Sequence, residues 1–122
     1  MAERTQEVMP DWSDYRGVLV FVEQRDGVAK NVSWQLLGQG RKLADKLEAP
    51  LMAAVLGSDV EHLAAEAIAY GAEKVYLCDA TELAMYRTRP YSRVMLKIIG
   101  DVKPEIVLFG ATATGRDLAG AI

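Results

Sequence analysis

The sequence has little of the chemistry that metal-binding and disulfide-stabilised proteins need. Of its 122 residues one is cysteine, Cys78, and one is histidine, His62. A single cysteine cannot form a disulfide within the chain, and a lone histidine without neighbouring cysteines offers no clustered metal ligands. We therefore expect no metal site, a buried structural thiol at Cys78 and a solvated surface imidazole at His62.

The chain also lacks an excess of positive charge and any long apolar run. The formal net charge is −3, so no basic patch indicates a nucleic-acid or anionic membrane partner. The chain has no run of about 18 consecutive apolar residues, the length that a membrane-spanning helix needs. Residues 1–15 form a polar leader that lacks the apolar core of a signal peptide. We expect a cytoplasmic protein without a membrane partner.

The residue sets of common hydrolases are missing as well. The sequence holds no Ser/His/Asp set and no pair of carboxylates placed for glycoside hydrolysis, so we expect no catalytic residues. Hydrophobic residues make up 51% of the chain, which is enough for a real core. A chain of this length fits one domain, and we place that domain at residues 16–122.

Four short apolar segments are present, and helical patterns separate them. The segments lie at residues 17–23, 51–56, 74–78 and 105–109, and each is a continuous run that is typical of a strand covered on both faces. The resulting β-α-β-α-β-α-β-α order predicts a doubly wound, Rossmann-like α/β fold with a mostly parallel sheet and helices on both faces.

Local signals mark where the predicted helices begin and end. Asn31 or Ser33 can cap the first helix, and Gly71 stands where the end of the second favours a left-handed residue. Pro104 ends the third helix, and residues 86–90 are polar enough to form a surface loop. A fourth helix begins at Gly115.

The strand order of doubly wound folds indicates where a ligand would bind. In such sheets the fourth strand lies beside the first, and ligands bind at the carboxyl ends of these strands. Glu23 and Gln24 end the first strand there, and residues 110–112 end the fourth. Two interpretations stay open for Glu23 and Gln24: they face the crevice, or they only lead into a turn at Asp26-Gly27.

The turn at residues 110–117 is the most conspicuous candidate site. It follows a strand and opens a helix, so free backbone N–H groups and a positive dipole end would meet an anion there. The residues that we assign to cofactor binding are Gly110, Thr112, Thr114, Gly115, Arg116 and Asp117. The alternative is a capped turn with a solvated arginine and aspartate. The segment is neither a Walker loop nor a G-x-G-x-x-G turn.

Several stretches together resemble the alpha subunit of electron transfer flavoproteins. The first strand from Tyr15 to Gln24 is similar to that family's first strand, and residues 70–76 are similar to the entry into its third. Residues 31–41, followed by Leu43-Ala-Asp, resemble the family's first helix, notably in the forms associated with flavin-based bifurcation. Gly110-Ala-Thr-Ala-Thr-Gly-Arg-Asp-Leu118 resembles its glycine-arginine-aspartate signature.

The resemblance implies a function shared between subunits. It implies a heterodimer with a beta subunit, electron traffic between flavins, and exchange with an acyl-CoA dehydrogenase-type partner. The N-terminal domain of such an alpha subunit is largely scaffold, and FAD sits in a C-terminal domain that has no counterpart in this sequence. Because residues 120–122 depart from the family pattern within a helix, we expect a fragment that binds no FAD by itself.

Other readings of the residues remain. A small basic-aromatic cluster, Arg87, Arg89, Tyr91 and Arg93, suggests a partner surface, for which we single out Arg89 and Tyr91. The alternative function is a stand-alone nucleotide-binding or sensor domain of the adenine-nucleotide-hydrolase-like class, with Thr112, Thr114 and Arg116 on phosphate. The third possible function, after the electron-transfer subunit and the nucleotide-binding domain, is a pure interaction module without a ligand.

Overall fold

Strands and helices alternate along residues 15–122, the part of the chain that the computed structural model describes. The leader, apart from Tyr15, lies outside these residues. The strands are β1 Val18–Val22, β2 Gln24–Arg25, β3 Val28–Ala29, β4 Leu51–Gly57, β5 Lys74–Asp79 and β6 Ile106–Leu108. The helices are α1 Asn31–Leu47, α2 Glu61–Ala69, α3 Thr88–Val102 and α4 Ala113–Gly120, with a short 3-10 helix at Thr81–Leu83.

The main sheet is parallel, and its strands follow the order β5-β4-β1-β6. Leu19 is paired with Val107 and Val20 with Leu108, so the first and last of the four long strands are neighbours. The predicted α/β class and the predicted adjacency of these strands are therefore confirmed. The chain reverses its direction of strand addition at β1, and this places the crevice at the carboxyl ends of β1 and β6.

Successive residues of β1 face opposite layers of helices. Val18, Val20 and Val22 pack with the buried residues of α1 and α2, whereas Leu19 and Phe21 pack with those of α3 and α4. All five side chains are buried. Helices on both faces explain why the strand reads as a continuous apolar run and not as an alternating one.

A hairpin that the sequence pattern did not predict follows β1. Strands β2 and β3 are antiparallel and are joined by Asp26 and Gly27, whose φ angles are 54° and 81°. Two positive φ angles are what a two-residue type I′ turn requires, and Asp-Gly is one of its favoured pairs. The turn is therefore present, but Glu23 is buried, so this strand end does more than lead into the turn.

Two helix starts differ from the prediction. The N-cap residue of α1 is Lys30, and no side chain caps this helix, so neither Asn31 nor Ser33 has the predicted role. Ser33 instead hydrogen-bonds to the backbone of Glu23. Helix α3 begins at Thr88, so residues 86–90 are only partly a loop. Pro90 lies in the first turn of α3, where a missing N–H removes no helical hydrogen bond.

Several single-residue expectations can also be compared with the structure. Gly71 has a φ of 115°, as expected for the residue that ends the second helix, and α3 ends before Pro104. Cys78 is only partly buried, because it lies on β5 at the edge of the described sheet. His62 is exposed, with its Nε2 2.6 Å from the carbonyl oxygen of Gly27.

None of the helices within residues 15–122 combines the length and the apolar character that a membrane span requires. The same residues contain no group of three or more histidine, cysteine or acidic side chains that could hold a metal ion.

Candidate functional site

A cleft of about 390 Å³ lies at the carboxyl ends of β1 and β4. Its walls combine charged side chains with apolar ones, and the N-terminal turn of α4 contributes Thr114. Its lining includes Glu23, Lys30, Met85, Tyr86 and Thr114. The cleft adjoins the crevice that the strand order predicts at the carboxyl ends of β1 and β6, through Glu23 at the end of β1 and Thr114 in the helix that follows β6.

Glu23 is the central charged group of the cleft. The residue is only 3% exposed, and its Oε1 accepts a hydrogen bond of 2.6 Å from the hydroxyl of Thr112. Its Oε2 lies 3.2 Å from Nζ of Lys30, which is close enough for an ion pair. The angles there do not meet those of a hydrogen bond, so Oε2 has no hydrogen-bond donor among the described residues. The lysine therefore neutralises the buried carboxylate by proximity.

Thr112 connects this carboxylate to the start of α4. It is the N-cap residue of the helix, and its Oγ1 accepts a hydrogen bond of 2.9 Å from the backbone N–H of Gly115. The same hydroxyl donates its hydrogen to Glu23. The one O–H of Thr112 is thus already used, and its oxygen already serves the helix end.

The two glycines of the turn contact each other. A Cβ on Gly115 would lie 2.0 Å from the carbonyl oxygen of Gly110, which no side chain can tolerate. A Cβ on Gly110 would lie 3.1 Å from Val32 of α1. The backbone of Gly110 therefore excludes an alanine at position 115, whereas an alanine at position 110 would require the Val32 side chain to shift by a few tenths of an ångström.

Asp117 holds the loop that precedes α3. Its Oδ2 accepts a hydrogen bond of 2.6 Å from the hydroxyl of Tyr86 and a second from the hydroxyl of Thr88. These two donors lower the pKa of Asp117, the Thr88 bond most. Burial, together with the bond to Asp117, raises the pKa of Tyr86 to about 12. Asp117 is thus a structural acceptor on the exposed side of the turn.

This pair predicts a measurable change in tyrosine ionisation. Replacing Asp117 with asparagine should lower the pKa of Tyr86 from about 12 towards the ordinary tyrosine value, because a neutral amide no longer opposes the phenolate. Burial remains in the variant, so the return should be partial. The pKa can be read from the ring resonances of Tyr86 in an NMR titration.

Asp101 of α3 provides the control for that titration. It is exposed and pairs with Lys97. Asp101→Asn should leave the pKa of Tyr86 unchanged. The same pKa in wild type and Asp117→Asn would mean that the hydrogen bond is not present in solution. Since the pKa of Tyr86 is raised by folding, its contribution to stability is present below the ordinary tyrosine pKa and is lost as the pH rises through about 12.

Two side chains of the predicted site remain open. Arg116 is exposed, and its guanidinium has no hydrogen bond or ion pair with any residue from 15 to 122. Thr114 is partly buried and lines the cleft. The other members, Gly110, Thr112, Gly115 and Asp117, have the internal contacts described above. The structure thus brings the predicted residues together on one turn. Four of them hold the turn in place, and the side chains of Thr114 and Arg116 are available to a partner or ligand.

The expected partner surface needs one correction. Tyr91 is buried, with 3% of its surface exposed, and its hydroxyl donates a hydrogen bond of 2.6 Å to the carbonyl oxygen of Leu83. Its ring lies 6.5 Å from that of Phe21, in an edge-on arrangement. The tyrosine therefore belongs to the core and cannot form a partner surface. Arg89 is exposed, as a surface residue must be.

Sequence reasoning missed three residues that shape the site. Ser33 receives the N–H of Glu23 at 2.8 Å and donates to its carbonyl oxygen at 3.0 Å, which fixes the backbone from which the carboxylate projects. Lys30 supplies the counter-charge, and Tyr86 holds Asp117. No local spacing could reveal these contacts, since Tyr86 and Asp117 are 31 positions apart.

Comparison with known proteins gives the family. The model of the electron transfer flavoprotein domain matches residues 18–122, which include every strand and helix described above. This chain belongs to the electron transfer flavoprotein family. The resemblance drawn from the four motifs is thereby confirmed.

Individual relatives agree with this assignment. Protein FixB of Azorhizobium caulinodans is 46% identical over 122 residues, which cover 97% of this chain and 33% of the relative. An acryloyl-CoA reductase electron transfer subunit beta of Anaerotignum propionicum is 44% identical over 88% of this chain and 29% of its own length. The electron transfer flavoprotein subunit alpha of Clostridium acetobutylicum is 43% identical over 87% of this chain and 32% of its own length. The chain thus spans about a third of the curated relatives that it matches.

Proposed function

We propose that this chain is the scaffold domain of an electron transfer flavoprotein alpha subunit, which pairs with a beta subunit. The observation that carries the proposal is the family match over residues 18–122, the whole of the described sheet and its helices. The cleft adds support, because its buried carboxylate is held within the chain. Glu23 pairs with Lys30 and accepts a hydrogen bond from Thr112, an arrangement that fits a structural contact.

The proposal also covers the route that the electrons take. Relatives include a protein named as an electron transfer subunit of acryloyl-CoA reductase, which favours an acyl-CoA dehydrogenase-type redox partner. Electrons would pass between flavins of the assembled heterodimer. The resemblance of residues 31–41 to bifurcating forms extends the proposal to bifurcation.

The turn at residues 110–117 does not fit the phosphates of FAD. The hydroxyl of Thr112 already donates to the buried carboxylate of Glu23, and that carboxylate would repel a phosphate placed beside it. We therefore propose that the flavin is held elsewhere in the complex. Thr114 and Arg116 would hold a carboxylate of the beta subunit or an anionic edge, and Gly110, Thr112, Gly115 and Asp117 would orient them.

A flavin titration tests the location of the cofactor. FAD added to the purified 122-residue chain should show little quenching of its fluorescence, because the buried carboxylate of Glu23 lies beside the turn and would repel the pyrophosphate. Tight one-to-one quenching by this chain would contradict the proposed location. The heterodimer of full-length alpha and beta subunits serves as the positive control.

Removal of the Arg116 guanidinium tests the turn. If it makes a charge-assisted contact in the complex, Arg116→Ala in the full-length alpha subunit should weaken assembly with the beta subunit about ten- to a hundred-fold. The affinity can be measured by calorimetry, and the flavin content of the complex by its visible absorbance. Lys42→Ala on α1 is the matched control, because Lys42 is also exposed and cationic.

The results separate the parts of the proposal. Loss of affinity in Arg116→Ala but not in Lys42→Ala supports the contact. Unchanged assembly and flavin content in both variants would mean that the turn has only a structural role and does not bind the beta subunit. Failure of the wild-type subunits to form a yellow complex would contradict the electron-carrier proposal itself.

The alternative function, a stand-alone nucleotide-binding domain, has less support. It requires Thr112, Thr114 and Arg116 to bind phosphate, and Thr112 is committed to Glu23 and to the backbone of Gly115. A carboxylate that is 3% exposed occupies the place that a phosphate would approach. The same FAD titration, repeated with an adenine nucleotide, tests this alternative.

A further inference from the structure

A second groove, of about 370 Å³, lies between the end of β5 and the start of α3. Its floor is apolar, with Ala80, Leu83 and Val94 beside Cys78. Three arginines, Arg87, Arg89 and Arg93, form its rim, and we call it the arginine groove. It is separate from the cleft at Glu23, since the two share no lining residue.

The rim arginines are charged groups without counter-charges. All three are exposed, and none makes a side-chain hydrogen bond or ion pair with any residue from 15 to 122. Glu82 is the one acidic residue that lines the groove. A chain whose net charge is −3 thus concentrates positive charge at one place.

The position of these arginines is unfavourable for the helix itself. Arg87 is the N-cap residue of α3, Arg89 lies in the first turn and Arg93 in the second, and the first turn has no acidic residue. Positive charge near a helix N-terminus opposes the helix dipole, most strongly within the first turn. Helix stability therefore does not account for the cluster.

We propose that the arginine groove docks an acidic segment of a partner protein, with an apolar side chain of that segment on the groove floor. Guanidinium groups bind carboxylates in a bidentate manner, and three of them match a segment with several acidic residues. The apolar floor adds a contact that a phosphate or a bare polyanion cannot use. This inference stands independently of the flavin proposal.

The test uses a labelled peptide, Glu-Leu-Glu-Leu-Glu, and the purified protein. Fluorescence anisotropy should show saturable binding that weakens as salt rises. The double variant Arg89→Glu/Arg93→Glu should bind at least about ten-fold more weakly, which corresponds to the loss of one or two charge-assisted contacts. The peptide Glu-Gly-Glu-Gly-Glu should also bind more weakly to wild type, since it has no side chain for the floor.

Lys42→Glu/Lys46→Glu on α1 is the matched control, because it changes the net charge by the same amount. It should bind the peptide within about three-fold of wild type. Equal loss in both double variants would overturn the proposal, since the attraction would then be a general effect of net charge. Absence of saturable binding would also overturn it. Tighter binding to heparin or to phosphatidylserine vesicles than to the peptide would replace it with a polyanion or membrane site. Thermal unfolding of each variant checks that the fold is retained.

Discussion

Gly115→Ala should destabilise the protein by more than about 3 kcal/mol, one of the two largest effects that we expect. The new Cβ would stand 2.0 Å from the carbonyl oxygen of Gly110 and 2.9 Å from its carbonyl carbon. Both atoms belong to the backbone, so the clash cannot be relieved by turning a side chain. Alanine is the better helix former by up to about 1 kcal/mol, and the clash must overcome this gain. The free energy of unfolding, measured in urea, gives the difference.

Gly120→Ala in the same helix isolates the clash. A Cβ at position 120 would meet no atom within 4 Å, so this variant should be as stable as wild type or slightly more stable. If Gly115→Ala and Gly120→Ala unfold at the same urea concentration, the close approach of Gly115 to Gly110 does not exist in solution. The turn would then be free to adopt another shape around a ligand.

Thr112→Val should destabilise the protein by about 2–4 kcal/mol, because one isosteric change removes two functions of the hydroxyl. The N–H of Gly115 loses its acceptor, and the buried carboxylate of Glu23 loses its donor. Valine fills the same volume, so packing contributes little to the difference. Urea unfolding measures the loss, and an unchanged m-value would show that the comparison is two-state.

Thr112→Ser separates these hydrogen bonds from the methyl group. Serine keeps the hydroxyl, so this variant should remain within about 1 kcal/mol of wild type. Equal stability of the valine and serine variants would contradict the role of Thr112 as the link between β1 and α4. The turn would then be held by its glycines alone.

Much of the fold could be predicted because it depends on local patterns. Continuous apolar runs such as residues 51–56 indicate strands with both faces covered, and the strand found there is buried along its whole length. The adjacency of β1 and β6 followed from the way in which doubly wound sheets add strands. The hairpin at Asp26-Gly27 was missed because its strands are two residues long and give no periodic signal.

The predictions for the N-cap of α1 and for the role of Tyr91 were wrong for a different reason. Serine is a favourable N-cap residue, but the hydroxyl of Ser33 instead donates a hydrogen bond to the backbone carbonyl oxygen of Glu23, ten positions away. Tyr91 fits both an apolar helical stripe and an exposed aromatic cluster, and sequence alone does not say which. Burial against Phe21 decides it.

The sequence by itself determined the α/β class, the strand that lies at the centre of the sheet, the family and the turn where side chains would converge. These depend on periodicity, on chain connectivity and on motifs that are contiguous. Only the tertiary structure decided what the turn residues do. Thr112 meets Glu23 from 89 positions away, and Asp117 meets Tyr86 and Thr88 from 31 and 29 positions away. Contacts between distant segments depend on how strands and helices pack in three dimensions, and no spacing along the chain encodes them.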